Sequence, residues 1–145
     1  MNALRLIAAA VLLFAGRGLA APHDRVDLKE LKLKVSLTLG SKGTIEFKQQ
    51  GDGLTAATLI KSPHDKNPGI SVEFTKQPEF FALTLQNQLP KALRYRAAVR
   101  LKGRKDFFET SLIVPVMAGL ISSEIWADPI AELVLFDFNL TDEKP

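Results

Sequence analysis

The residues of this chain that could do chemistry are few, and the first group lies in a short proline-flanked segment. Ser62-Pro63-His64-Asp65 brings together a hydroxyl, an imidazole and a carboxylate. These are the residue types of a hydrolytic triad, but sequence neighbours rarely meet in triad geometry, and no strand-turn-helix nucleophile motif surrounds Ser62. Turn formation explains the segment better, because serine and aspartate side chains hydrogen-bond to nearby backbone. We therefore predict no catalytic residues and no enzyme activity.

A metal site is not expected either. The chain has two histidines, His23 and His64, and no cysteine, whereas a structural zinc site needs four nitrogen or sulfur ligands. The aspartates at Asp52 and Asp65 are isolated, and calcium needs clustered oxygen ligands. We predict no metal and no cofactor. The lack of cysteine also excludes disulfides and a lipid anchor on cysteine.

A second group lies in the segment 122–129, within an irregular stretch from Pro115 to Pro129. It holds the single tryptophan, Trp126, with two serines and two carboxylates. A tryptophan in a long loop can stack on a sugar or on a partner side chain, so Trp126 is a candidate binding residue. The alternative, which we prefer, is that Trp126 and Ile125 close one end of the fold as part of its core.

The third group is a cationic cluster of seven lysines and arginines within fifteen residues: Lys91, Arg94, Arg96, Arg100, Lys102, Arg104 and Lys105. Four of them share strand parity and should project from one face, opposite Tyr95 and Val99. The candidate binding residues of this face are Arg94, Arg96, Arg100 and Lys102.

This cationic face could bind an unknown acidic protein or an anionic ligand such as a glycan or lipid surface. Nucleic acid is not expected, because the chain is predicted to be exported and aromatic residues are sparse on that face. The alternative, which we prefer, is a solvated face paired with acids on neighbouring strands, for example Glu109. Each cross-strand pair of opposite charge contributes about 0.2–1 kcal/mol.

The first twenty residues predict export. Arg5 precedes an apolar run over residues 6–15, and small residues lead up to Ala20, a layout typical of a signal peptide that is cleaved near Ala20. A transmembrane helix needs roughly twenty apolar residues, so we expect a secreted or periplasmic protein and not an integral membrane protein. Cleavage removes Arg5 and Arg17 and no acidic residue, so the formal net charge of +3 falls to about +1. A nearly neutral chain is not a general polyanion binder.

The elements that must position these groups are β-strands. Residues 31–39 alternate strictly between apolar and polar side chains, residues 93–102 repeat this pattern, and glycine and proline breaks recur about every ten residues. The C-terminal run 131–140 should place Val134, Phe136, Phe138 and Leu140 on one face. We predict an all-β fold, an antiparallel β-sandwich of immunoglobulin-like or similar topology with about seven or eight strands.

The predicted organisation is a signal peptide over 1–20, a flexible lead-in over 21–30, one β-sandwich domain over 31–140 and a charged tail over 141–145. The predicted function is an exported, non-enzymatic binding or interaction domain of unknown ligand. A structural or adhesin-like subunit of a surface assembly is the alternative, and it should show an unfilled sheet edge or a donor strand. A hydrolase using Ser62, His64 or the carboxylates near Trp126 is less favoured, and it should show a pocket with convergent titratable groups.

Overall fold

A computed structural model describes residues 10–13, 24–61, 68–110 and 115–143. This part of the chain contains eleven β-strands and one turn of 3-10 helix at Leu28–Glu30. No helix in it is long and apolar enough to cross a membrane. The strands are β1 (Ala10–Leu13), β2 (Arg25–Val26), β3 (Val35–Leu37), β4 (Lys42–Gln50), β5 (Gly53–Ile60), β6 (Gly69–Lys76), β7 (Phe81–Asn87), β8 (Ala92–Leu101), β9 (Phe107–Glu109), β10 (Ile121–Trp126) and β11 (Ile130–Thr141).

Ten of the strands form two antiparallel five-stranded sheets that pack face to face. Sheet A has the order β10-β7-β6-β4-β5, and sheet B has the order β2-β9-β8-β11-β3. β1 lies beside β10, on the side away from β7, and pairs with it in parallel. Ala10 is opposite Ile121, and Leu13 is opposite Glu124. The predicted β-sandwich is confirmed, with ten strands rather than seven or eight. β2 is too short to show a period of two, and β10 is interrupted by polar residues, so neither was predicted.

The main core lies between the two sheets, where alternating apolar residues meet. On β8 the side chains of Leu93, Tyr95 and Val99 are buried in it, as the alternation predicts. The Phe138 ring contacts Phe47 edge-on at 5.0 Å between centroids and stacks on Tyr95 at 6.3 Å. Other members of this core are Phe74, Leu83, Leu85, Trp126, Leu133 and Leu135.

A second, smaller apolar cluster covers the outer face of sheet B. Its buried members are Ala98, Phe107, Val134 and Phe136, and Val26, Leu28 and Leu31 pack against them. The segment that we predict to be a flexible lead-in thus supplies apolar contacts to the domain. Burial on both faces of sheet B explains why β11 is apolar at consecutive positions, Leu133 to Phe136.

Two left-handed residues change the predicted strand faces. Leu33 and Asp137 both have φ of 52°, and the Asp137 amide donates a hydrogen bond to the Lys32 carbonyl at 3.1 Å. The predicted strand over 31–39 is therefore reduced to Val35–Leu37. A register shift between Phe136 and Asn139 turns Phe136 to the outer cluster and Phe138 to the main core. The prediction that both rings share one face was wrong, because a bulge reverses the alternation.

Candidate functional site

Glu124 brings a carboxyl group into the interior of the sandwich from β10, which lies at one end of the antiparallel part of sheet A. Glu124 lies opposite Leu83 of β7, and Leu83 is fully buried between the sheets. Residues that are opposite each other in a ladder project to the same face, so Glu124 projects inwards. The neighbouring Ser123 projects to the outer face, where its hydroxyl lies 3.4 Å from that of Thr84.

The partner of Glu124 comes from the opposite sheet. The Tyr95 hydroxyl on β8 donates a hydrogen bond to Glu124 Oε1 at 3.0 Å. Tyr95 is only 7% exposed, and its ring stacks on Phe138, so packing fixes the position of the phenol. This hydrogen bond therefore connects the edge of sheet A to the middle of sheet B.

Burial dominates the acid-base properties of this pair. It raises the pKa of Glu124 to about 7, and the hydrogen bond from Tyr95 opposes this by lowering the pKa. The pKa of Tyr95 is raised well above its ordinary value, first by burial and then by the negative charge of Glu124. Near neutral pH, Glu124 thus exists in both protonation states while Tyr95 keeps its proton.

A carboxyl group with a raised pKa is typical of acid-base sites, but structural pairs show the same shift. Two grooves, of about 460 Å³ and about 560 Å³, are lined by described residues, and neither has Glu124 or Tyr95 in its wall. The Glu124 carboxyl shares its face with the buried Leu83 and accepts its hydrogen bond from Tyr95. The pair can take up or release a proton and can hold the two sheets together.

Trp126 lies at the end of β10, opposite Phe81. Its side chain is 7% exposed and belongs to the main core. The irregular stretch that we predicted around it is a regular strand over Ile121–Trp126. As a result, the structure places this candidate binding residue in the position that the core interpretation predicts.

The cationic face lies on the outer side of β8, where we predicted it, and most of its charge is paired. Arg96 is held between Glu109, at 2.6 Å, and Asp137, at 2.8 Å, and both acids raise the pKa of its guanidinium. Four further ion pairs lie on or beside this face: Arg94–Glu143, Arg100–Glu132, Lys91–Asp142 and Arg25–Asp106.

The same arginines also cover the outer apolar cluster. The Arg96 guanidinium lies 5.0 Å from the centre of the Phe136 ring, and that of Arg100 lies 5.9 Å from Phe107. Lys102 forms no ion pair within the described part of the chain. Three of the four candidate binding residues on this face therefore already have acidic partners.

The remaining candidates do not add a site. Ser62, His64, Asp65 and His23 lie outside the described residues. Among the residues that the structure does describe, no group of three or more histidine, cysteine or acidic side chains could hold a metal ion.

Comparisons of the chain with protein-family models, with curated proteins and with solved structures found no match. The function is therefore inferred from the geometry of the described residues. Sequence reasoning placed Tyr95 correctly but treated Glu124 only as a carboxylate near Trp126. The spacing of the two residues could have identified it. Glu124 and Trp126 are two residues apart, so in a strand they share a face, and a buried Trp126 would place Glu124 in the interior as well.

Proposed function

We propose that the protein is an exported, non-enzymatic interaction domain that binds its partner through the edge of β10. The observation that carries this proposal is the composition of that edge. The six residues of β10 include one charged side chain, Glu124, and it projects inwards. Natural sheets protect an edge with charged side chains, proline, very short strands, β-bulges or inward-pointing charged residues. On β10 the single device of this kind is the inward Glu124, and the outer side of the strand carries neither a charge nor a proline.

The other edges of the two sheets differ from β10. β2 has two residues and β3 has three, so each offers little backbone for pairing. β5 is longer, but it contacts β3 and β11 of the opposite sheet, which closes that side of the sandwich. β10 therefore offers the longest edge on the open side.

The pairing of β1 supports the same interpretation. Ala10–Leu13 lies along β10 as a parallel strand, so this edge has room for an extended segment. The segment falls within the leader that we expect to be removed near Ala20. Its removal would leave backbone N–H and C=O groups of β10 for another strand, and strand addition of this kind gains affinity from main-chain hydrogen bonds.

Export and the immunoglobulin-like or similar topology are parts of this proposal, and the leader layout and the paired five-stranded sheets support them. Intact-mass analysis of the exported protein tests the first part. We expect a chain that begins at or near Ala21, and a full-length chain in the membrane fraction would reject export.

The surface-assembly alternative would use the same open edge, and a donor strand would favour it further. The start of the mature chain does not supply one, because Val26 and Leu28 pack on the outer face of sheet B. An anionic ligand on the cationic face is less supported, since Arg94, Arg96 and Arg100 are paired. A hydrolase is least supported, since the structure shows Tyr95, and no second acid among the described residues, acting on Glu124.

A peptide-binding experiment tests the proposed edge. The probe is a capped, fluorescent peptide with residues 8–15 between lysine tails, added to the mature chain 21–145. We expect saturable binding that is lost when the peptide carries Leu12→Pro, because proline removes a strand N–H. No binding, or equal binding of both peptides, would reject the proposal.

Matched variants locate the binding. Ser123→Lys puts a charge on the outer side of β10 and should weaken binding at least about tenfold, as edge lysines do in natural sheets. Thr55→Lys makes the same change at an exposed position of β5 and should leave binding unchanged. If the two variants behaved alike, the peptide would be binding elsewhere.

A further inference from the structure

We propose that the inward-facing Glu124 carboxyl is a proton-controlled latch on the β10 edge, so that this edge accepts an added strand more tightly when Glu124 is protonated. The inference rests on the proposed function, because it concerns the regulation of the same edge. Its structural basis is the position of the carboxyl group, which belongs to the edge strand and yet has its hydrogen-bond partner on the opposite sheet.

Among the described residues, the causes that shift the pKa of Glu124 are burial and Tyr95, with no second charged group. On β7, the side chain opposite Glu124 is the buried Leu83, and the next inward-facing side chain of that strand is the buried Phe81. On sheet B, the side chain that faces Glu124 is Tyr95, whose ring stacks on the ring of Phe138. On β10 itself the inward neighbours are Ser122 and Trp126. Within the part of the chain that the structure describes, an ionised Glu124 thus has the Tyr95 hydroxyl as hydrogen-bond donor and no cation to compensate the loss of water.

An ionised Glu124 can regain water because β10 is an edge strand. Movement of β10 away from sheet B would expose the carboxylate and break the hydrogen bond to Tyr95. A strand added outside β10 would block this route, since it lies where β1 lies, with Leu13 opposite Glu124. Strand addition therefore favours the protonated form, and by linkage the protonated form favours strand addition.

The sign and size of the effect follow from one proton. Above the pKa of Glu124 in the free domain, which is about 7, binding requires proton uptake. The dissociation constant then rises by at most about tenfold for each pH unit. Between about pH 6 and pH 8.5 we expect a weakening of about tenfold.

The test measures binding of the residue 8–15 peptide by the mature chain between about pH 5.5 and pH 8.5. Glu124→Gln keeps the size of the side chain and removes the titration, so it should bind at every pH as the wild type binds at low pH. Tyr95→Phe keeps the titration of Glu124 but removes a hydrogen bond that lowers its pKa. The pH at which this variant begins to lose peptide affinity should therefore be higher than in the wild type. A pH dependence that persists unchanged in Glu124→Gln would overturn the latch.

Amide exchange of the peptide-free domain separates this inference from the proposed function. After correction for intrinsic rates, the β10 amides should lose protection as pH rises through about 7 in the wild type and not in Glu124→Gln. This result without peptide binding at any pH would keep the latch and reject the strand-acceptor function. Equal protection of β10 at all pH values in both proteins would reject the latch even if the peptide binds.

Discussion

The hydroxyl of Tyr95 and the carboxyl of Glu124 meet at 3.0 Å across the interior of the sandwich, although they are 29 residues apart in the chain. Tyr95 is fixed by core packing in sheet B, while Glu124 belongs to the strand at the open edge of sheet A. The contact joins the packed core of sheet B to the strand that we propose to bind a partner.

The first prediction is a loss of stability as pH rises through neutrality. The pKa of Glu124 is raised to about 7 in the folded chain, from 4.5, so the folded state binds this proton more tightly than the unfolded state. The stabilisation is fully present below about pH 4.5 and is lost as pH rises through about 7. We expect the free energy of unfolding to fall by about 3 kcal/mol over the whole of this range.

Urea denaturation at about pH 5.5 and pH 8.5 should detect about 2 kcal/mol of this change, because the rest is lost below about pH 5.5. Glu124→Gln serves as the control and should show little difference between the two conditions. If the wild type and the variant changed in parallel, other groups would be responsible. Tyr95 does not contribute in this window, since its pKa is raised well above 10.

The second prediction concerns the strand register at β3. Val35 is 5% exposed and belongs to the main core, so Val35→Asp buries an unpaired carboxylate and should cost several kcal/mol, roughly the stability of a small domain. The neighbouring Lys34 is exposed, and its ammonium group donates to the Leu28 carbonyl at 2.8 Å, so Lys34→Asp should cost about 1 kcal/mol. Chemical denaturation that ranked the two variants in the opposite order would contradict this register.

The third prediction is that Trp126 supports the core. Its side chain is 7% exposed beside Phe81, so its fluorescence should be blue-shifted and poorly quenched by iodide. Trp126→Ala should lower the free energy of unfolding by about 3–5 kcal/mol. Red-shifted emission that iodide quenches freely, with unchanged stability of the alanine variant, would instead favour a binding role for this ring.

The fourth prediction concerns the cationic face. Because Arg94 and Arg96 are paired with Glu143, Glu109 and Asp137, the double variant Arg94→Ala, Arg96→Ala should lose about 1 kcal/mol of stability. Retention of the wild type on heparin or anionic liposomes should be weak and should disappear with salt. Strong retention that survives about 150 mM salt and vanishes in the double variant would make this face a binding surface.

Most of the fold that could be predicted followed from the regular alternation of apolar and polar residues along the strands. On β8 it correctly placed Leu93 and Tyr95 in the core and Arg94 and Arg96 outside, because a strand with one apolar face has a single register that buries it. It failed where the backbone departs from a regular strand. The left-handed backbone conformation of Asp137 reverses the faces of β11. The apolar and polar pattern of this run does not mark Asp137 as a left-handed position.

The candidate site could be predicted only in part. β10 was not recognised because Ser122, Ser123 and Glu124 interrupt its apolar pattern, and the polar inward residue is the one that matters. The contact of Glu124 with Tyr95 also depends on which strands face each other across the sandwich. That arrangement is set by sheet order, which alternation within single strands does not encode.

The most direct test of the central proposal is amide exchange at β10, compared between the full chain 1–145 and the mature chain 21–145. The open-edge account predicts that the amides of Ile121–Trp126 facing away from β7 exchange faster in the mature chain, and that the residue 8–15 peptide restores their protection. Equal protection in the two chains, with no change when the peptide is added, would contradict an edge that is open to a partner strand.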